Sequence, residues 1–363
     1  MRLKSLELIN YKNIEIGRFS FDHTINCFVG PNGVGKTTLL DSIYHLAFTK
    51  AYFNPLSTQN IRHGQEFFAI EGVFDRNGSE EQIYIGFKKG AKKIVKRNGK
   101  IYERITDHIG FIPLVIISPT DRDLILEGSE VRRKFMDSIL SQLYPNYLEA
   151  LLNYNRVLAQ RNALLKYFAS NHTFDAQTLS VYNDQLIDSA QLIYEKRKEF
   201  NEKFALLFND QYRAISPNES ESVSVSYQSG LNQNSMRELL EQSLSKDRLA
   251  QHTTEGIHKD DLYLELNGHL VKRFGSQGQQ KTFLIALKFA QYDFLKDRCG
   301  EKPIVLLDDI FDKLDDQRVE RLVALVKKDV FGQIFISDTS RERTELVVKQ
   351  TDQSYQMIDV DHA

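Results

Sequence analysis

The chain has 363 residues, a formal net charge of −2, two cysteines and no tryptophan. A chain of this length buries a sizeable core and suits one or two domains. Near-neutral charge excludes a globally basic coat for nucleic acid, so any DNA contact has to come from a local patch. Cys27 and Cys299 show no metal-ligand spacing and fit a reduced, cytoplasmic protein. No apolar run reaches the length of a membrane span, so a membrane partner is not expected, and the first residues read as a strand rather than a secretion signal.

Up to about residue 118 the pattern is mostly β. Thr24–Val29 reads as a buried strand, and Thr37–Phe48 carries Leu39, Leu40, Ile43, Leu46 and Ala47 at helical spacing. Phe67–Phe74 and Gln82–Phe87 read as strands, Ile94–Tyr102 as a hairpin turned on Asn98-Gly99, and Val115–Ser118 as a strand ended by Pro119. From Ser129 to Tyr212 glycine is absent and the period is helical. Pro145 opens one helix and Gln177–Phe208 forms another, which together suit an antiparallel arm. The segment is too short for a long coiled coil and lacks sustained heptads. Residues 216–235 form a Ser- and Asn-rich loop with one short strand, Leu262–Leu266 is a strand, and a helix follows Ser276.

Gly30-Pro-Asn-Gly-Val-Gly-Lys-Thr37 fits the phosphate-loop pattern, and it lies between a strand and a helix as that pattern requires. Backbone N–H groups and the helix dipole make such a turn an anion site. Gly30, Gly33 and Gly35 let the backbone approach a ligand, with Asn32 in the same turn and Thr38 beside it as further nucleotide contacts. Lys36 reaches the β- and γ-phosphates of ATP, and the Thr37 hydroxyl holds Mg²⁺. Ile304-Val-Leu-Leu-Asp308-Asp309 is an apolar run of the kind found in a central parallel strand, ending in two carboxylates. Asp308 is the expected partner of the same Mg²⁺, and Asp309 is expected to polarise the attacking water. Taken alone, two adjacent carboxylates more often make a helix cap or a solvated turn; the phosphate loop is what raises them. Ser276-Gln-Gly278-Gln279 opens a helix and makes a second anion site. One nucleotide does not need two clamps, so the second is better used on the nucleotide of another subunit.

This order of blocks resembles the ABC-type ATPases, and within them the RecF family of bacterial recombination-repair ATPases. The resemblance runs nearly end to end. It rests on Asn10-Tyr-Lys12-Asn13, Val131-Arg132-Arg133-Lys-Phe-Met-Asp137, Leu158-Ala-Gln-Arg161-Asn162 through Lys166, Gly256-Ile-His258-Lys259-Asp260-Asp261, Ser276–Lys281, Leu306–Asp309 and Leu314-Asp315. It implies an α/β fold: a phosphate-loop ATPase head split by an inserted helical lid or arm. The expected divisions are 1–125 with the phosphate loop, 126–244 for the arm, and 245–363 with the signature block and acidic strand. It adds Lys12 and Asn13 to the nucleotide contacts. It further implies a weak DNA-dependent ATPase, ATP-dependent homodimerisation on gapped duplex or single-strand/double-strand junctions, and RecA loading with RecR and RecO. A clamp in which ATP merely gates dimerisation and hydrolysis is negligible is the alternative. The energising subunit of a transporter fits poorly, because the signature departs from Leu-Ser-Gly-Gly-Gln. The chain also departs from the family. Lys12 and Lys259 stand where Arg is usual, Ile257 where Pro is usual and Thr120 where the γ-phosphate-sensing Glu is usual, and the histidine that many ABC ATPases place after the acidic strand is absent from 334–339.

For DNA, Lys88–Lys100 holds seven basic residues and no acidic one. Lys92, Lys93, Lys96 and Arg97 on that hairpin are the candidate phosphate contacts, against the plainer reading of a solvated hairpin. Arg132 and Arg133 suit structure or signalling slightly better than DNA. Arg161 and Asn162 fit DNA, partner or helix packing equally. His258 reads as structural or nucleotide-linked.

Overall fold

The computed structural model describes residues 1–216, 218, 220–310, 319–321, 323–324 and 331–361. The chain divides into two compact units. The first comprises 1–121, 211–219 and 281–363, and the second 122–210 and 220–280.

The first unit opens with strands β1 (Arg2–Tyr11) and β2 (Ile14–Ser20), then β3 (Ile25–Val29), helix α1 (Lys36–Phe48), β4 (Phe67–Arg76), β5 (Ser79–Lys88), β6 (Ile94–Arg97), β7 (Lys100–Ile101) and β8 (Leu114–Ile117). An antiparallel sheet has the order β2-β1-β4-β5-β6-β7. Its inner face repeats with period two, as Leu6 and Leu8 on β1 and Phe68 and Ile70 on β4 show. That face packs on α1, which is buried nearly all round. Polar groups that α1 carries inward find partners: the Ser42 hydroxyl donates to the Leu39 carbonyl at 2.7 Å, and His45 Nδ1 lies 3.1 Å from the Tyr11 hydroxyl, while His45 Nε2 is buried without one.

The second unit begins with the short helix α2 (Asp123–Leu126) and continues through α3 (Ser129–Leu143), α4 (Pro145–Asn171) and α5 (Ala176–Ile215). Pro145 occupies the first turn of α4, where its missing N–H costs nothing. α4 and α5 run antiparallel, because Arg197 donates to Tyr147, Asn153 to Ser189 and Arg161 to Asn183. The expected two-helix arm is therefore present, with α3 as a third helix packed on α4. Next come β9 (Val223–Gln228), α6 (Met236–Gln242), α7 (Leu244–Ala250), β10 (Asp261–Leu266), β11 (His269–Leu270), α8 (Val271–Phe274) and the start of α9 (Gln277–Cys299). β10 pairs antiparallel with both β9 and β11. That pairing corrects the expected division at 244/245: the ladder keeps residues 245–280 with the arm, and the first unit resumes only at Lys281.

The first unit closes with β12 (Ile304–Asp308), β13 (Ile334–Asp338), α10 (Arg341–Lys349) and β14 (Tyr355–Asp359). These build a parallel sheet of order β14-β3-β13-β12-β8. Every residue of β3, β12 and β13 is buried, which is why their sequences lack alternation. Among the described residues no helix is long and apolar enough to cross a membrane.

Candidate nucleotide-binding site

The glycine-rich loop leaves the C-terminal end of β3 and delivers Lys36 as the first residue of α1. Gly30 has φ +152°, and a Cβ there would stand 2.6 Å from the Val360 carbonyl oxygen. Gly35 has φ +117° and caps α1 from the left-handed region, where a side chain would be strained. No side chain caps this helix and no acidic residue lies in its first turn, so its leading N–H groups face outward as anion donors. The Lys36 ammonium folds back over the loop and donates to the carbonyls of Gly30 at 2.8 Å and Pro31 at 2.7 Å. Burial lowers its pKa, against the opposing pull of Asp309, Asp308 and Asp338.

The sheet order brings the acidic strand to this loop. β13 lies between β3 and β12, and Ser337 pairs with Asp308 across the parallel ladder. Thr37 Oγ1 donates to Asp308 Oδ1 at 2.9 Å, and Ser337 Oγ donates to the same oxygen at 2.5 Å. Asp309 turns the chain with φ +49°, a conformation Asp tolerates, and its N–H points at the Ser337 carbonyl (3.1 Å) and hydroxyl (3.2 Å). A cleft of about 250 Å³ results, lined by Asn32, Gly33, Gly35, Lys36, Thr37 and Thr38 together with Asn13, Pro119, Asp308, Asp309, Ser337 and Thr339. Thr38 Oγ1 donates to Asn13 Oδ1 at 2.7 Å, which fixes Asn13 at the rim. The Thr37 hydroxyl and Asp308 carboxylate are hard oxygen donors, few in number and next to a phosphate cradle. That donor set fits Mg²⁺, which keeps waters and shares phosphate oxygens rather than filling an all-protein cage.

The expected residues are thus mostly brought together, with exceptions. Lys12 does not line the cleft; it forms an ion pair with Asp41, which is fully buried on α1. Coulomb attraction to a desolvated carboxylate explains the displacement. Ser276, Gly278 and Gln279 belong to the second unit. Gln279 N–H donates to Ser276 Oγ at 3.2 Å, and Ser276 N–H to Gln279 Oε1 at 2.8 Å, a reciprocal cap on α9. Leu314-Asp315 lies outside the described residues. Sequence reasoning missed Ser337. Nothing local marks it; its place follows only from β13 inserting between the loop strand and the acidic strand.

The basic hairpin is formed as expected, with Asn98 and Gly99 both left-handed at its turn. Its free charge is smaller than the sequence implies. Arg97 is held bidentate by Glu81 of the neighbouring strand, at 2.6 and 2.8 Å, and stacks 3.9 Å from the Phe111 ring centre. Lys93 donates to the Thr49 carbonyl at 2.6 Å, and burial lowers its pKa. Lys96 lies over Tyr84, and Lys92 is exposed. In the second unit, Arg132 is bidentate on Asp261 and Arg133 donates to Ser129 and to the Asp260 carbonyl, both structural roles. Arg161 is fully buried and bonded to Asp247, Thr253 and Asn183, so helix packing accounts for it. His258 Nδ1 accepts from the Tyr154 hydroxyl at 2.8 Å and Nε2–H donates to the Thr253 carbonyl at 3.0 Å. Its neighbours are those of a structural histidine.

Comparison with known proteins agrees with this geometry. The family described as RecF/RecN/SMC N terminal domain matches residues 2–362. A DNA replication and repair protein RecF from Flavobacterium johnsoniae is 58% identical over 360 residues, covering 99% of this chain and all of that protein. A solved structure of the recombination mediator protein RecF-ATPrS in the RecFOR pathway shares 29% identity with a TM-score of 0.86, covering 93% of this chain and 92% of its own. An Smc head domain from Pyrococcus furiosus, 17% identical with a TM-score of 0.57 over 99% of this chain and 94% of its own, shares the fold. With the family model matched over residues 2–362 and a relative 58% identical over its full length, this chain belongs to the RecF family of the RecF/RecN/SMC ATPases.

Proposed function

We propose that this protein is a cytoplasmic, ATP-dependent DNA-binding ATPase of recombinational repair, whose ATP-bound form dimerises on gapped or junction DNA. The observation that carries the reading is the meeting of Thr37 and Asp308 at 2.9 Å beneath the anion-binding turn. ATP lies with its phosphates along Gly33–Thr38, and Lys36 exchanges its two carbonyl partners for phosphate oxygens. Thr37 and Asp308 would hold Mg²⁺, which would supply neutralisation of the phosphate charge. Asp309 orients the attacking water. With Thr120 in place of a glutamate and Asp338 engaged by Arg343 at 2.7 Å, the described residues offer few groups to sharpen that step, so turnover is slow. Hydrolysis reopens the dimer.

Ser276 and Gly278 cover the γ-phosphate bound by a second copy. The exposed Ser276 beside Phe274, an aromatic side chain 69% exposed, supports a surface meant to be covered. DNA and the mediator proteins RecR and RecO are the partners that family membership supports, with RecA loading as the outcome.

Sedimentation velocity with ADP, with ATP, and with ATP plus a gapped duplex tests the reading. The expected result is a monomer that dimerises with ATP and is stabilised by the duplex. Lys36→Met abolishes the response; Ser276→Arg keeps nucleotide binding and blocks the dimer. A species indifferent to nucleotide would sink the proposal, and loss of nucleotide binding in Ser276→Arg would place Ser276 in its own chain's site.

A further inference from the structure

We infer that Ser337 is a positioning residue for the cation carboxylate, holding Asp308 in place when the bond from Thr37 is given up. The inference rests on the proposed nucleotide site and gives a role there to a buried residue of the cleft wall.

Asp308 Oδ1 accepts two hydroxyl bonds, from Thr37 at 2.9 Å and Ser337 at 2.5 Å. The two donors are not equivalent. Thr37 is exposed, in the first turn of α1, and both it and Ser337 line the cleft. Its hydroxyl is the group that turns a lone pair toward a cation, and on doing so it leaves Asp308. Ser337 is 1% exposed and lies within β13, where its backbone is tied into ladders on both sides. Its almost complete burial and fixed strand hold the hydroxyl on Asp308, so that bond is the one kept in the loaded site. It leaves Asp308 Oδ2 as the oxygen directed at the cation's shell.

The same side chain also acts on the neighbouring carboxylate. The Asp309 N–H reaches Ser337 Oγ at 3.2 Å and its carbonyl at 3.1 Å, which supports the left-handed turn at Asp309. A left-handed non-glycine residue persists where its surroundings over-determine it. One hydroxyl therefore sets the direction of one carboxylate and the backbone of the next. Outer partners of this kind typically change metal affinity about 10–100-fold when removed.

The test is binding of a fluorescent, non-hydrolysable ATP analogue to the full chain, first in EDTA and then across a Mg²⁺ titration. Ser337→Ala should bind like the wild type in EDTA but need about tenfold more Mg²⁺ for half-maximal enhancement. Ser337→Thr keeps the hydroxyl and should restore the wild-type midpoint. An unchanged midpoint in Ser337→Ala would overturn the inference alone. So would an equal loss of binding in EDTA, because the hydroxyl would then be supporting the loop rather than the carboxylate. A wild type with no Mg²⁺-dependent binding would take the nucleotide reading down as well.

Discussion

In the first unit the charged groups at the cleft hold partners that a ligand replaces: Lys36 rests on loop carbonyls and Thr37 on Asp308. In the second unit Arg197 is closed off. It donates to Asp137, Asp260, Tyr147 and the Ile257 carbonyl, and both it and Asp260 are buried. Arg161 is buried too, and its Nε and Nη1 are taken by Asn183, Asp247 and Thr253. Arg161 and the Arg197 partners Asp137 and Asp260 come from family blocks that look as functional in the sequence as the phosphate loop, while Arg197 itself stands outside them. What separates them is whether each bond can be exchanged. A buried guanidinium with all its partners in the protein is structural, because nothing outside can offer a better bond.

The largest effect should follow from breaking that closed set. Arg197→Met keeps the apolar stem but takes the ion-pair partner from both Asp137 and Asp260. Removing one member of a buried pair costs about 3–5 kcal/mol. Thermal unfolding, followed by tyrosine signals because the chain has no tryptophan, should show a large loss of stability. Nucleotide binding at the first unit should persist under conditions where the variant stays folded. If Arg197→Met melts like the wild type, the hub is not structural and the contrast between the units fails.

A second test uses acid. Burial pushes the His258 pKa down to about 4, with Lys259 and Arg133 adding to the shift and the Thr253 carbonyl and Asp247 opposing it. Between the folded value and an unfolded value near 6.5 the unfolded chain binds more protons, so stability rises with pH. The contribution is complete above about pH 6.5 and is lost as pH falls toward 4, amounting to about 3 kcal/mol. His258→Gln can still accept from Tyr154 and donate to Thr253 without titrating. The difference in stability between wild type and variant should therefore shrink or reverse as the pH drops through this window. A difference independent of pH would mean that His258 is not held neutral.

Much of the cleft was legible because its signal is local. Gly30–Thr37 carries strand exit, turn and helix entry in one contiguous stretch, and Ile304–Asp308 ends in its carboxylate. What escaped reading depends on pairing between distant segments. Ser337 matters because β13 lies between β3 and β12. The arm's extension to residue 280 follows from β10 pairing with β9. Lys12 was expected at the nucleotide, but it pairs with Asp41, a buried carboxylate on α1. Asp41 is also bonded by the Tyr52 N–H at 2.5 Å. A buried acid of this kind leaves no signature in the periodicity of α1.

The basic hairpin carries the smallest expected effect, and it tests whether exchangeability also predicts DNA contact. Seven cations count alike in the sequence, but Arg97 already has Glu81 and Lys93 already has the Thr49 carbonyl. Lys92 and Lys100 are exposed and cost little to redirect to a phosphate. Lys92→Gln with Lys100→Gln should flatten the salt dependence of duplex binding by about one unit of slope per lost phosphate contact. Lys93→Gln should leave the slope nearly unchanged. Arg97→Gln should act mainly on the hairpin itself, since it strands Glu81, whose pKa the Arg97 bond holds down. If Lys93→Gln and Arg97→Gln flatten the slope more than the exposed pair does, the internal bonds are broken on DNA binding, and a partner within the fold does not mark a cation as structural.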